Sequence, residues 1–186
     1  IPSTFSDVGA ATASFGHGLS VTPIQMLSAL SALVNGGRLV PPTLFERSAE
    51  KTRDHAIVVM SEQTSDMVRY LLRLNALRGG ARRADEFAQG YRLGGKTGTA
   101  EKVIDGRYSR DKNVTFFTAV FPMDAPRYAM LILLDEPSSE RAGGPRTAGW
   151  NAGEISGRIV ARIAPMLGVL PDFDPALDQG LAPNGL

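Results

Sequence analysis

The residues whose types and spacing carry most chemistry are Lys96-Thr97-Gly98-Thr99. Taken with the residues before them, Gly90–Thr97 (GYRLGGKT) completes the G-x-x-x-x-G-K-[ST] pattern of a phosphate-binding loop. Such a loop needs a buried apolar strand just before it and a helix just after it, so that backbone N–H groups and a helix N-terminus converge on the phosphates. Neither flank fits. Upstream, RRADEFAQ is charged, and downstream Val103-Ile104 leads into Asp105-Gly106, which is hairpin chemistry. A phosphate-loop nucleotide binder is therefore the weaker reading of this segment.

As a strand, the same residues suit a different ligand. Alternation puts Thr97 and Thr99 on one side, where two hydroxyls and the strand's N–H groups can hold a carboxylate. Gly98 leaves room for close approach, and Lys96 brings positive charge. A free sheet edge can also accept an extended peptide as an added strand. The plain alternative is a surface hairpin with no ligand. Other candidates are weaker. His17 lies between two glycines and reads as a turn or packing residue, and His55, beside Arg53 and Asp54, reads as surface. Trp150 and Gly143-Gly144 can border a cleft, although a lone Trp opening an apolar helix is more often core. Asp135 and Glu136 read as a solvated strand end. No His/Asp/Glu group has metal-ligand spacing, and no cofactor is expected.

Elements must hold these residues in place. The first 21 residues are rich in Ser, Gly and Ala without clear period. Thr22-Pro23 then reads as an N-cap with proline at the first helical position, and Ile24, Leu27, Leu30 and Val34 recur at helical spacing until Asn35-Gly36-Gly37. A second helix is predicted over about Ser61–Leu74, with Met67, Val68, Leu71 and Leu72 as its apolar face. Arg78–Gly90 reads as a loop. From Arg92 three strands follow as an antiparallel meander, with the polar K-T-G-T strand at the sheet edge and the apolar Tyr128–Leu134 in the sheet interior. A third helix is predicted over Trp150–Leu167, with Ile155, Ile159 and Ile163 as its stripe. The fold class is α/β of the α+β type, one domain over residues 1–170, with a loose or wrapped tail at 171–186.

Composition narrows the partners. With 20 basic and 19 acidic residues the net charge is +1, and the basic side chains are scattered, so no nucleic-acid surface is implied. Zero cysteines exclude thiolate metal sites and disulfides. No apolar run approaches the roughly 20 residues of a membrane helix.

The flanking sequence resembles a known family. GHGLSVTPIQMLSALSALVNGG, GGKTGTAEK, FPMDAPRYAMLILLDEP and AGWNA follow one another as in class B penicillin-binding proteins, over about residues 9–170. Within that class the chain looks most like the septal, division-type enzyme. The resemblance implies the transpeptidase fold shared with serine β-lactamases, a five-stranded antiparallel sheet flanked by helices, of which this chain supplies the last three strands. It implies a D,D-transpeptidase that cross-links peptidoglycan stem peptides during cell division and is acylated by β-lactams. The whole protein would be anchored in the bacterial inner membrane, with this domain outside it, alongside other division proteins. Lys96, Thr97, Gly98 and Thr99 would be substrate or β-lactam contacts, with the Thr99 N–H an oxyanion-hole donor and Lys96 supporting the proton network.

The family's other two motifs are not matched. Among four lysines, S-x-x-K occurs only as Ser48-Ala49-Glu50-Lys51 and Ser109-Arg110-Asp111-Lys112. The first follows an extended segment and the second is expected in the hairpin turn, whereas the nucleophile needs a buried helix start with lysine one turn on. No asparagine has serine two residues before it, so S-x-N is absent. Both motifs are expected N-terminal to Ile1, and a catalytically silent peptide-binding or partner-binding module of the same fold is the alternative. Without the nucleophile helix the piece is expected to expose apolar surface and to self-associate in solution.

Overall fold

A computed structural model of the chain describes residues 4, 6–14, 16, 18–138 and 147–179. Threonine opens the first long helix as its sequence requires. In α2 (Pro23–Val34), which follows the short, exposed α1 (Asp7–Ala13), Thr22 and Gln25 form a reciprocal capping box. Gly36 and Gly37, at φ of 85° and 80°, end it and lead into β1 (Arg38–Leu39), which pairs with β2 (Ile57–Val58) across α3 (Ala49–Asp54). The second predicted helix is α4 (Glu62–Arg78), capped by Ser61.

The main sheet is the expected meander of β3 (Gly94–Ile104), β4 (Arg107–Phe121) and β5 (Tyr128–Asp135), in spatial order β3-β4-β5. Asp105 and Gly106, both at positive φ, make the two-residue turn whose twist matches paired strands. The register sets Lys96 opposite Thr118 and Thr99 opposite Thr115. One expectation is not met among the described residues: the middle strand is β4, and β5 borders β4 alone. Its unbroken apolar run has another cause. Met130, Ile132 and Leu134 pack on the large core beneath α6 (Ala152–Ile163), and Ala129 packs on the opposite face with Leu30 and Val34 of α2. Helices on both faces account for these apolar positions, while Leu133, on the α2 side, is half exposed among the described residues.

Two further expectations are corrected. The stretch read as a loop contains α5 (Arg82–Phe87), whose Ala84 is fully buried, as is Ala88 just after it. The third helix is shorter than predicted and buries a small-residue face, Ala152, Gly153, Ser156, Gly157 and Val160, while Ile155 is exposed. Close approach is the reason: a Cβ on Gly157 would collide with the Ala84 carbonyl, so α5 and α6 pack almost backbone to backbone. Pro165–Leu167 then forms a 3-10 turn ending at Gly168, in the left-handed region.

Of the tail expected to be loose or wrapped, the described part is wrapped, tied down through the short α7 (Ala176–Gln179). Asp172 N–H donates to the Gly90 carbonyl at 2.7 Å, and Asp178 pairs with Arg73 of α4 at 2.6 Å. Residues 180–186 lie outside the described ones.

Candidate substrate-binding edge

The site is built from the outer edge of β3. Backbone groups on an antiparallel strand alternate, residue by residue, between the partner strand and the free side. Asn75 Nδ2 donates to the Gly95 carbonyl at 2.7 Å and Lys96 Nζ to the Thr97 carbonyl at 2.8 Å, so residues 95 and 97 point outward. Thr118 Oγ1, from β4, reaches the Lys96 carbonyl at 3.3 Å, so residue 96 points inward. The same alternation turns the Thr99 N–H and carbonyl outward. Upstream the edge is occupied by α4; beyond Thr97 no described residue pairs with it.

Side chains divide between the sheet's two faces. Phe117, opposite Thr97, lies near Gly153 of α6, and Thr115, opposite Thr99, donates to Asn151 Oδ1 at 3.0 Å, so both threonines are on the α6 side. Gly80 and Gly149 flank Thr97 closely. Lys96 and Gly98 take the other face, where the Phe116 ring occupies the space that a Cβ on Gly98 would need. Lys96 and Thr99 are exposed, and Thr97 and Gly98 half-buried. The ammonium and the two hydroxyls therefore straddle the edge, with the outward Thr99 N–H between them.

The phosphate-loop reading does not survive this geometry. Gly94–Ile104 is one continuous strand, so Lys96 is followed directly by strand and not by a helix. Both S-x-x-K matches are also set aside. Ser48 does stand at a helix start, but it is exposed, and its hydroxyl caps α3 by accepting from the Lys51 N–H. Ser109 lies in β4 rather than in the turn, because the turn is only two residues long, and it accepts from the Lys112 N–H. His55 is exposed against the Lys51 carbonyl. His17 and Gly143-Gly144 lie outside the described residues.

Trp150 is not core. It is 55% exposed, with the Arg83 guanidinium 4.8 Å from its ring centre, and it shares a cleft beside Thr97 with Gly79, Gly80 and Gly149. Asn151 caps α6 one residue later, so Trp150 precedes the helix and projects from its start. Asp135 and Glu136 are paired rather than merely solvated: Lys102 Nζ of β3 reaches them at 2.6 and 2.8 Å across the end of the sheet. That contact holds the Glu136 carboxyl below its usual range and raises the Lys102 ammonium. No three metal-ligating side chains gather among the described residues.

Arg73 and Asn75 were not foreseen as site residues. Arg73 is buried and donates to the Leu93 carbonyl at 2.8 Å, and Asn75 holds Gly95. The one available signal was a charged residue interrupting the apolar pattern of α4.

An antiparallel sheet with helices on both faces and a K-T-G-T edge strand defines the transpeptidase class, and residues 1–160 match the penicillin binding protein transpeptidase domain; the chain belongs to that family. It is 40% identical over 167 residues to the probable peptidoglycan D,D-transpeptidase FtsI of Caulobacter vibrioides, covering 86% of this chain and 28% of that protein. It is 38% identical over 170 residues to stage V sporulation protein D of Bacillus subtilis, covering 87% and 25%. The apo transpeptidase domain of Burkholderia pseudomallei penicillin-binding protein 3 superposes with a TM-score of 0.77 at 31% identity, over 90% of this chain and 49% of that one. Penicillin-binding protein 3 of Mycobacterium tuberculosis, complexed with ampicillin, gives 0.68 at 29% identity, over 86% and 38%. The chain spans about a quarter of the length of the two curated relatives.

Proposed function

We propose that these residues form the C-terminal part of a peptidoglycan D,D-transpeptidase that cross-links stem peptides during cell division and binds β-lactams. What carries the reading is the open edge of β3 beyond Thr97, flanked by Lys96 on one face and two threonines on the other. A peptide ending in a carboxylate pairs with that edge, its carboxylate beside Lys96, Thr97 and Thr99. Gly98 keeps the approach close. The serine that attacks the peptide carbonyl is not among these 186 residues. When its oxygen bonds to the carbonyl carbon, negative charge builds on the carbonyl oxygen, and the Thr99 N–H donates to it. The terminal residue leaves with a proton, and an amine from a second stem peptide then displaces the serine. A β-lactam enters the same path by opening its ring.

The complete protein works at the outer face of the bacterial inner membrane, held there by an anchor and in company with other division proteins. No helix among the described residues is long and apolar enough to cross a membrane. Alone, the 186-residue chain self-associates through apolar side chains left in solvent, Leu44 and Phe45 among them.

Fluorescent penicillin tests the reading. The full-length protein takes up stable label at a serine outside these residues, and the 186-residue chain takes up none. Stable labelling of the isolated chain at one of its own serines, or a full-length protein that never labels, overturns it.

A further inference from the structure

We infer that residues 171–179 clamp the root of the K-T-G-T strand, with Asp178 and Arg73 as positioning residues for the substrate-binding edge; the consequence for acylation rests on the transpeptidase reading above. The chain reaches β3 through residues 90–93, and the C-terminal segment grips that stretch at both ends. At its start, the Asp172 N–H donates to the Gly90 carbonyl, and Arg92 Nη1 donates to the Asp172 carbonyl at 3.3 Å while its Nε and Nη2 hold Asp124 at 2.7 and 3.0 Å. At its end, Asp178 accepts from Arg73 Nε and Nη2 at 2.6 and 3.0 Å.

Arg73 converts that grip into strand position. Its Nη1 donates to the Leu93 carbonyl at 2.8 Å and to Asp85 at 2.5 Å, so one planar, buried guanidinium joins α4, α5, α7 and the residue before β3. Leu93, Gly95 and Thr97 share the outward phase of the strand. Their carbonyls are taken in turn by Arg73, Asn75 and Lys96, and Thr99 is the next outward residue. Without Asp178, two buried donors of Arg73 lose their acceptor. The guanidinium must then turn toward water or Asp85, which draws Nη1 from Leu93 and loosens the edge where the carboxylate binds. Catalytic edges lose rate steeply when their support slackens.

The test uses the full-length protein and two readouts, the second-order rate of labelling by fluorescent penicillin and amide hydrogen exchange. Asp178→Asn is expected to slow labelling on the order of fivefold to tenfold, and to speed exchange over Leu93–Gly98 with β5 unchanged. Asp178→Glu, which keeps the charge, recovers most of both. Val34→Ala, in the separate core beneath α2, serves as a destabilised control and leaves the labelling rate near that of the unaltered protein. Wild-type rate and exchange in Asp178→Asn, or the same slowing in Val34→Ala, overturns the clamp. An unaltered protein that takes no label sinks the transpeptidase reading instead, and exchange over Leu93–Gly98 then decides the clamp alone.

Discussion

Asn75 joins helix α4 to the edge of the K-T-G-T strand through Gly95: its Nδ2 donates to the Gly95 carbonyl at 2.7 Å, while its Oδ1 accepts from the Gly80 N–H at 3.1 Å. One amide thus closes the edge upstream and holds Gly80, which flanks Thr97. Replacing it with alanine leaves a carbonyl and an N–H without partners. Asn75→Ala is expected to lose about 1–2 kcal/mol in urea unfolding of the 186-residue chain, and to slow penicillin labelling of the full-length protein. Unchanged stability would mean that water replaces both bonds.

Gly98 has a steric role that can be separated from flexibility. A Cβ there meets the Phe116 ring, so Gly98→Ala should cost about 1–3 kcal/mol by overpacking. Adding Phe116→Leu should return part of that loss. A double-mutant cycle with purely additive costs would place the strain elsewhere.

Lys96 should behave in the opposite way. It is exposed and, among the described residues, bonds a neighbouring carbonyl alone, so Lys96→Ala is expected to change stability by less than about 0.5 kcal/mol. In the full-length protein the same change should reduce acylation on the order of a hundredfold. A near-normal acylation rate in Lys96→Ala would remove Lys96 from the site.

Acid sensitivity should trace to the Arg92 corner. Burial alone would raise the Asp124 carboxyl, but hydrogen bonds and charge from Arg92 outweigh it and hold the group below its ordinary value. Its contribution is therefore present above the ordinary carboxylate range, about pH 4, and is lost as pH falls through the depressed value. Asp85 runs the other way, raised by burial despite Arg73. Asp124→Asn should be less stable than the unaltered chain at neutral pH and lose less on acidification below about pH 4. Parallel stability-pH curves for the two proteins would refute this assignment.

Local chemistry made much of the molecule legible in its sequence. The Thr22 cap, the Asp105-Gly106 turn and the alternation of Lys96–Thr99 are read from a few neighbouring residues, because capping, turn dihedrals and side-chain phase are decided within one turn or one pleat. What lay beyond reach depended on residues far apart in the chain. Burial of Ala84 and Gly157 ahead of Ile155, the middle place of β4, the outward position of Trp150 and the hold of Asp178 on Arg73 across 105 residues all arise when elements meet. The sequence alone set which strand could bind a carboxylate. Only the tertiary structure decided which stretch of that strand stays open among the described residues, because α4 covers its edge as far as Gly95 and does not reach Thr99.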